Sequence, residues 1–497
     1  MRSVLIANRG EIAVRVARAC REAGLRTVAV YSEVDRGAPH VLAADRAVPV
    51  GPPPARESYL NVDALLAAAR TAGADAVHPG YGFLAENAAF AAAVEAAGLV
   101  WIGPPPKAIA TMGDKLTARA TVGRAGVPLV PGTELVAGDV AAARRQVAAL
   151  GYPVLVKAAG GGGGKGMRTV ASEDELAPAL AAASREADAA FGDGRVYVEK
   201  LLRRPRHVEV QVLGDRHGQL VHLGERECSI QRRHQKIVEE TPCPVLTARL
   251  RAEMTAAALA AARAVGYVNA GTVEFLLDAD GRFYFLEMNT RVQVEHPITE
   301  WVTDIDIVAA QLRIAAGEPL GFGQSDVAPR GHAIEVRLYA EDPARNFFPS
   351  PGLILALSEP AGLGVRVDSG VTAGTVVPVE YDPLLAKISA WAPDRATAVR
   401  RLRAALEETV VLGPTTNLGF LLDVLGHPAF MAGDTHTGFL ADHLADWQPG
   451  GSDETAAALA AAVALARPAA PSTSGGRAAT APTPWETLGP WRLGAQR

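Results

Sequence analysis

The chain has 497 residues, enough for about three domains and a sizeable hydrophobic core. Its composition is ordinary for a soluble protein, and a net charge of −5 argues against a nucleic-acid-binding protein, which would be basic. No apolar run reaches a membrane span of about 20 residues, no signal-peptide pattern begins the sequence, and three cysteines without metal spacing indicate a reducing cytoplasm.

The first hundred residues alternate short apolar segments with helical patterns, which predicts a parallel, doubly wound α/β domain. Asn8–Glu11 follows the first strand, where ligands of such sheets gather, and His78–Phe83 closes another strand as a shaped loop. The first turn lacks a G-x-G-x-x-G fingerprint, so a dinucleotide site is not supported. The predicted strands are Ser3–Ala7, Thr27–Tyr31, Ala76–His78 and Val100–Ile102, and the predicted helices are Glu11–Ala23, Val62–Thr71 and Asn87–Ala97.

A second unit begins near Met112 and contains a run of five glycines within Lys157–Met167. Consecutive glycines cost conformational entropy, so packing does not explain them. They let backbone N–H groups approach an anion, which predicts a loop that covers phosphates, although Met167 excludes the P-loop pattern. A flexible linker is the alternative, and the flanking Lys157 and Lys165 weigh against it.

Two later segments concentrate polar residues between apolar ones. His207, Glu209 and Gln211 alternate with valines, which predicts a strand with one polar face. This face is predicted to bind a nucleotide, and the alternative is a face exposed to solvent. Glu225–Lys236 is dense in anion-binding groups and lies between apolar strands, so we favour a site loop over a solvated charge run.

The segments Gly271–Leu277 and Arg282–Met288 flank a turn and predict a β-hairpin. If Leu277 lies opposite Arg282, Glu274 falls opposite Phe285 and diagonal to Glu287, within about 7–8 Å. Two carboxylates at that distance repel each other unless a cation bridges them. The hairpin therefore predicts a magnesium site.

The most informative segment is Phe285–His296, which has the period-two alternation of a strand. One predicted face combines carboxylate and amide oxygens, which suit Mg²⁺, with an arginine fork for an anion. A solvated strand face is the disfavoured alternative. The residues of the polar face are Glu287, Asn289, Arg291, Gln293 and Glu295.

A third unit starts near Gly331, contains the predicted helix Arg395–Glu408 and extends to about Ala445. Beyond it, a helical pattern at Glu454–Ala466 precedes the linker-like segment Arg467–Pro484. Only seven of the 49 basic residues are lysines, so a lysine within a motif indicates a need for a compact ammonium.

These blocks, in this order, resemble the ATP-grasp superfamily and more specifically biotin carboxylase, the module that begins acyl-CoA carboxylases and pyruvate carboxylase. The resemblance covers residues 3 to about 446. It implies an N-terminal domain at 1–113, an ATP-grasp domain at 114–328 with a mobile lid at about 131–203, and an α+β C-terminal domain at 329–446, followed by a helix, a linker and the start of another region at 447–497. The blocks that carry it are Ile6–Ile12, His78–Phe83, Met112–Lys115, Lys157–Met167, Glu225–Glu240, Glu287–Pro297 and the strand containing Arg337.

The resemblance also implies roles for individual residues. Glu295 would deprotonate bicarbonate for attack on the γ-phosphate of ATP, giving carboxyphosphate, and Arg337 would steady the biotin enolate that captures CO₂. The implied catalytic residues are Lys236, Arg291, Glu295 and Arg337. The implied ATP ligands are Lys115, Lys157, Gly163, Gly164, Glu199, Lys200, Leu202, His207, His234, Glu274 and Glu287. Mg²⁺, or Mn²⁺ in its place, would be held by Glu274, Glu287 and Asn289, and bicarbonate and biotin by Lys236, Arg291, Gln293, Val294 and Arg337.

The implied partners are a biotin carboxyl carrier domain or protein and a carboxyltransferase subunit, in a homodimer or a larger complex without nucleic acid or membrane. No lysine lies between methionines, so biotin is expected as a substrate that is not attached to this chain. Trp485–Gly494 resembles the region that follows this module in propionyl- or methylcrotonyl-type α subunits, which favours the first half-reaction of an acyl-CoA carboxylase. The alternatives are an ATP-grasp ligase acting on an amine and a non-catalytic subunit, and the intact set of catalytic residues disfavours the latter.

Overall fold

The computed structural model describes residues 1–133, 140–160 and 167–450. The predicted ligands Gly163 and Gly164, the helix Glu454–Ala466 and the linker Arg467–Pro484 lie outside these described residues. None of the helices in the described ranges has the length and apolar character of a membrane span.

Helices and strands both occur throughout the described part of residues 1–450. The helices are α1 Gly10–Glu22, α2 Pro39–Leu42, α3 Val62–Ala72, α4 Ala88–Ala96, α5 Pro106–Gly113, α6 Lys115–Arg124, α7 Val140–Leu150, α8 Glu173–Phe191, α9 Ala248–Ala264, α10 His296–Thr303, α11 Ile307–Ala315, α12 Arg395–Glu408, α13 Leu418–Gly426, α14 Pro428–Met431 and α15 Phe439–His443. The strands are β1 Ser3–Ile6, β2 Arg26–Ser32, β3 Arg46–Gly51, β4 Ala76–His78, β5 Val100–Trp101, β6 Val154–Ala158, β7 Arg168–Val170, β8 Val196–Lys200, β9 Arg206–Gly214, β10 Leu220–Arg232, β11 Gln235–Thr241, β12 Asn269–Leu277, β13 Phe283–Asn289, β14 His332–Tyr339, β15 Glu341–Asp342, β16 Phe348–Pro349, β17 Gly352–Leu353, β18 Ala356–Ser358, β19 Val365–Ser369, β20 Val376–Val377, β21 Leu384–Ala392 and β22 Val410–Leu412.

The N-terminal sheet is parallel and has the strand order β3-β2-β1-β4-β5. Its central strand β1 is buried on both faces, between core clusters that include Leu5 on one side and Val4 and Ile6 on the other. The predicted doubly wound domain is therefore confirmed. Strand β3 was not predicted, because its short, partly exposed sequence includes Pro49 and lacks a strand-like apolar run.

An eight-stranded sheet of antiparallel pairs spans the predicted second and third units in the order β13-β12-β9-β10-β11-β14-β21-β19. The two units meet at the pairing of β11 with β14, where Val238 lies opposite Val336. Helix α10 packs against β10, β11, β14 and β21. Residues of both units therefore share one continuous surface.

A smaller three-stranded antiparallel sheet, β7-β6-β8, lies within the predicted lid. Its strands bury Val154, Val156 and Val198 against Val147 of α7 and Leu176 of α8. The lid segment thus has its own core in the described residues.

The predicted loop at Glu225–Lys236 is wrong, since these residues form β10 and the start of β11. The chain reverses at Arg233 and His234, both of which have positive φ angles of 49° and 68°. Charged residues suggested a loop, but Arg226 and Glu227 are buried and paired inside the sheet.

The predicted strand through Glu295 is also wrong beyond Asn289, where β13 ends. Residues 290–295 form an irregular turn before α10. Pro297 occupies the first turn of α10, where its missing N–H costs no helical hydrogen bond and its fixed φ favours the start of a helix. Arg291, Gln293 and Glu295 therefore reach the site from a turn, whereas Glu287 and Asn289 belong to β13 as predicted.

Candidate active site

The hairpin β12–β13 brings two acidic residues face to face. The predicted register was wrong: Leu277 pairs with Phe283, and an irregularity next to Phe275 places Glu274 directly opposite Glu287. The irregularity inserts one extra residue into β13 between these two pairs. Without it, Glu274 would lie opposite Leu286 and not opposite Glu287.

A buried arginine ties together the strands beneath the site. Arg226 of β10 is fully buried. Its guanidinium donates to Glu209 at 2.6 Å, to Gln211 at 2.8 Å, to Thr299 at 2.9 Å and to Thr272 at 3.1 Å. It thereby connects β9, β10, β12 and α10. The alternative of a solvent-facing polar strand is excluded, because His207, Glu209 and Gln211 of β9 are all buried.

The ammonium of Lys236 lies at the centre of the cluster. Its Nζ donates to Glu274 at 2.9 Å, to Gln293 at 3.0 Å and to Glu295 at 2.6 Å, and it also contacts Glu209. Burial alone would lower the pKa of Lys236, but the surrounding carboxylates raise it well above its usual range. Lys236 therefore stays protonated at the centre of the cluster.

Glu295 lies between two cations. One carboxylate oxygen accepts from Lys236, and the other accepts from Nη2 of Arg337 at 3.0 Å. Arg337 also donates to Glu239 at 2.6 Å. Burial opposes ionisation, yet Lys236, Arg337 and Arg226 hold the pKa of Glu295 well below its usual range. The carboxylate therefore stays in its proton-accepting form.

Glu274 and Glu287 have the chemistry of a divalent-cation site. Oε1 of Glu274 accepts from Asn289 and Gln293, each at 2.9 Å. Burial, and then the charge of Glu274, raise the pKa of Glu287. A cation between the two carboxylates would relieve this repulsion, so these residues fit Mg²⁺. The described residues also contain two groups of three potential metal ligands whose ligand atoms lie within 4.8 Å of one another. One group is His207, Glu209 and Glu274, and the other is Glu209, Cys228 and Glu295.

A cavity of about 350 Å³ lies between the lid sheet and the large sheet. Nζ of Lys157 donates to Glu199 at 2.9 Å, and Arg119 pairs with the other oxygen of Glu199. The ammonium of Lys200 donates to the carbonyls of Gly151 and Tyr152 at 2.8 and 3.2 Å. The cavity brings together six of the predicted ATP ligands, namely Lys157, Glu199, Lys200, Leu202, His207 and His234.

Three other described residues were predicted to bind ATP: Glu274 and Glu287 of the hairpin, and Lys115 at the start of α6. Burial lowers the pKa of Lys115, an effect that nearby Glu287 partly offsets. Its side chain therefore lies within electrostatic range of the acidic hairpin.

A second cavity, of about 420 Å³, joins the N-terminal domain to the turn of residues 290–295, which we call the acidic turn. Arg291, Val294 and Arg337 line it together with Asn8–Glu11 and Tyr81–Phe83. The two N-terminal motifs identified in the sequence thus reach the same cavity as three of the five predicted bicarbonate and biotin ligands.

Sequence reasoning missed four charged residues that hold the site together. Glu86 accepts from Arg291 at 2.8 Å, and Arg119 fixes Glu199. Glu86 and Arg119 belong to no motif, so no local pattern pointed to them. The buried Arg226 and Glu239 lie within the charged segment Glu225–Glu240, and their pairing across strands depends on the sheet register.

Three family models match the chain in succession. They are "Biotin carboxylase, N-terminal domain" at residues 1–109, "Carbamoyl-phosphate synthase L chain, ATP binding domain" at 114–322 and "Biotin carboxylase C-terminal domain" at 335–442.

Curated relatives match over most of this chain. A biotin carboxylase of Nostoc is 51% identical over 439 residues, covering 88% of this chain and 98% of its own length. A pyruvate carboxylase subunit of Methanothermobacter thermautotrophicus is 50% identical, covering 88% and 89%. The α subunit of a mitochondrial methylcrotonoyl-CoA carboxylase of Oryza sativa is 51% identical, covering 87% of this chain and 59% of its own length.

Solved structures agree with these matches. The biotin carboxylase domain dimer of Hydrogenobacter thermophilus 2-oxoglutarate carboxylase, in complex with MgADP, ADP and bicarbonate, has a TM-score of 0.87 and 45% identity, covering 90% of this chain and 99% of that one. A β-γ-ATP complex of the biotin carboxylase from Campylobacter jejuni has a TM-score of 0.86 and 45% identity, covering 89% of this chain and 99% of that one.

Proposed function

We propose a function from one premise: this chain belongs to the biotin carboxylase family, as its relatives and its three successive family matches show. It has the three-domain architecture of that family, with an ATP-grasp domain, and it is an ATP-dependent enzyme that carboxylates biotin with bicarbonate. We further propose roles for its individual residues and a place for the chain in a larger reaction.

The convergence of Lys236 and Arg337 on Glu295 supports the assignment of the bicarbonate site. Bicarbonate would be bound by Lys236, Arg291, Gln293 and the backbone of Val294, since positioned cations and amides stabilise developing negative charge. Glu295 would accept the proton of bicarbonate, because its neighbours keep it ionised in the resting enzyme.

The proposed reaction then continues from the deprotonated bicarbonate. The deprotonated bicarbonate oxygen attacks the γ-phosphorus, the bond to ADP breaks, and carboxyphosphate forms. Carboxyphosphate decomposes to CO₂ and phosphate, and phosphate takes the N1′ proton of biotin. Arg337, which lines the 420 Å³ cavity, would face the biotin enolate while N1′ of biotin forms a bond to CO₂. A labile intermediate requires exclusion of water, which suits a site closed by a lid at about residues 131–203.

ATP would occupy the 350 Å³ cavity, with Lys157 near its phosphates and Leu202, His207 and His234 around the nucleoside. Lys115, whose pKa responds to Glu287 and Lys157, would also lie near the phosphates. Glu199 and Lys200 would shape the same cavity, and Gly163 and Gly164 would cover the phosphates. Glu274 and Glu287, assisted by Asn289, would hold Mg²⁺. When bound, Mg²⁺ would neutralise charge on the phosphates.

The larger assembly is proposed from the relatives. They include both acyl-CoA carboxylase α subunits and a pyruvate carboxylase subunit. We favour the first half-reaction of an acyl-CoA carboxylase, on the resemblance of Trp485–Gly494. A biotin carrier domain or protein would present biotin, and a carboxyltransferase subunit would use the product. The chain would act as a cytoplasmic homodimer or within a larger complex. Its proposed domain limits are 1–113, 114–328, 329–446 and 447–497.

Bicarbonate-dependent ADP release, measured with and without free biotin, tests the proposed function. We expect ADP release to require bicarbonate and Mg²⁺ and to rise when biotin is added. ADP release that depends on an amine and is independent of bicarbonate would instead indicate another ATP-grasp ligase.

A further inference from the structure

Lys387 is a buried lysine outside the predicted catalytic set. It lies on β21 opposite Arg337 of β14, and its side chain is only 1% exposed. Its Nζ donates to the carbonyl of Val294 at 2.8 Å and lies 3.2 Å from Glu11 and 3.7 Å from Asp368. One ammonium therefore contacts the acidic turn, the N-terminal domain and the neighbouring strand β19.

The turn that Lys387 contacts carries two of the groups around Lys236. Residues 293–295 lie between β13 and α10, so no regular helix or sheet ladder fixes their backbone. The carbonyl of Gln293 accepts from Nδ1 of His296 at 2.7 Å. The next carbonyl, that of Val294, accepts from Lys387. Two buried side-chain donors thus hold successive peptide groups of this turn.

Packing alone does not account for a lysine at this position. Burial of an ammonium has a large desolvation cost, and an apolar residue of similar volume often stabilises a core as well or better. Lysine is also rare in this chain, with seven against 42 arginines. A compact ammonium suits a site where one donor must reach a backbone carbonyl between two carboxylates.

We propose that Lys387 is a positioning residue for the bicarbonate step: it holds the carbonyl of Val294 and thereby aims Gln293 and Glu295 at Lys236. This proposal rests on the proposed function. Lys387 touches no reacting atom and acts through the backbone of the turn. Its loss should therefore weaken bicarbonate binding and turnover while leaving the ATP cavity, formed by other elements, unchanged.

The first test compares steady-state constants. In Lys387→Met we expect the KM for bicarbonate to rise about tenfold or more, with a lower kcat and a KM for ATP within about twofold of the wild-type value. Because Lys387→Met leaves Glu11 without its cation, the double variant Lys387→Met/Glu11→Gln removes both buried charges. The double variant should show the same separation of the two KM values.

Asp368→Asn is the matched control. It removes another charge beside Lys387 but keeps the hydrogen bond to Val294, and Arg366 retains Glu300 as a partner at 2.7 Å. Its KM for bicarbonate should equal that of the wild type. An unchanged KM for bicarbonate in the double variant, or an equal rise of both KM values, would overturn the proposal.

Hydrogen exchange gives a readout that does not depend on activity. Peptides covering 290–297 should exchange faster in the double variant than in the wild type, while those covering β6 and β8 should not change. Unchanged exchange at 290–297 would also overturn the positioning role. If the wild type shows no bicarbonate-dependent ADP release, the proposed function fails, and the exchange experiment still decides whether Lys387 orders the turn.

Discussion

Glu295 combines a buried environment with a carboxylate that stays ionised, because Lys236 and Arg337 contact its two oxygens. In Glu295→Gln the amide keeps the shape but cannot accept the bicarbonate proton. We expect biotin-dependent turnover to fall about 10²-fold or more. ATP affinity should stay close to the wild-type value, because the 350 Å³ cavity does not include this residue. Turnover assays and nucleotide titration measure the two effects, and near-normal turnover would remove Glu295 as the base.

Lys236 is the second residue whose exact chemistry matters. Its single nitrogen serves four acceptors, from Glu209, Glu274, Gln293 and Glu295. The planar guanidinium of Lys236→Arg cannot reproduce that arrangement without moving the turn. A displacement of about 1 Å there should cost about 10²-fold in kcat/KM for bicarbonate. Lys107→Arg at an exposed position serves as the control, and wild-type kinetics in Lys236→Arg would contradict this reasoning.

Glu335 is a buried carboxyl group whose two oxygens have no hydrogen-bond partner among the described residues. Burial raises the pKa of Glu335 well above its usual range, although Lys387 opposes the shift. The folded state therefore keeps Glu335 protonated at pH values where the unfolded chain ionises it. The stability contributed by the neutral group is present at low pH and is lost as the pH rises towards the folded-state pKa, by up to about 1.4 kcal/mol per pH unit.

The variant Glu335→Gln lacks this titration, so its unfolding temperature should rise relative to that of the wild type as the pH increases from 5 to 7. Thermal unfolding at several pH values measures the difference. Glu253→Gln, at an exposed position of α9, should show no such trend. A difference between Glu335→Gln and the wild type that stays constant with pH would contradict the assigned protonation state.

At the scale of elements, the site depends on how the strands of the large sheet are fastened together. Arg226 joins β9, β10, β12 and α10 through four hydrogen bonds from one buried side chain. Removing one partner of a buried ion pair leaves the other charge uncompensated, so Arg226→Met should lower the free energy of unfolding by about 3–5 kcal/mol.

Arg249→Met is the matched control, because Arg249 is 82% exposed and forms a surface pair with Glu253. We expect its effect to stay below about 1 kcal/mol. Chemical denaturation of both variants gives the comparison. Equal stability losses would mean that the buried network of Arg226 contributes little.

At the scale of the whole molecule, the eight-stranded sheet passes from the ATP-grasp region into the C-terminal region through the pairing of β11 with β14. Lys236 on β11 and Arg337 on β14 therefore converge on Glu295 across the join. The N-terminal domain completes the 420 Å³ cavity with Asn8–Glu11 and Tyr81–Phe83. The proposed biotin site thus requires all three regions.

Because the chain is expected to use biotin as a substrate, we expect it not to be biotinylated. None of its seven lysines lies between methionines. A streptavidin blot of the chain expressed with a biotin ligase should be blank, with a known biotin carrier protein as the positive control. A positive band would show that one of these lysines carries biotin.

The sequence alone predicted the elements that local patterns specify. The βαβ rhythm indicated the N-terminal sheet, and α12 was predicted with its observed limits, Arg395–Glu408. The residues of the acidic segment and the rare lysines identified the candidate site, because their chemical types are unusual wherever they are placed. Helices and strands can be predicted from periodicity because periodicity depends only on neighbouring residues along the chain.

Only the tertiary structure decided how those residues meet. The bulge that places Glu274 opposite Glu287, the end of β13 at Asn289 and the contact of Lys387 with Val294 all depend on pairing between distant segments. A one-residue change of register moves every side chain of a strand to the other face, and local sequence does not determine that register. Arg119 and Glu86 escaped prediction for the same reason, since their partners Glu199 and Arg291 lie 80 and 205 positions away.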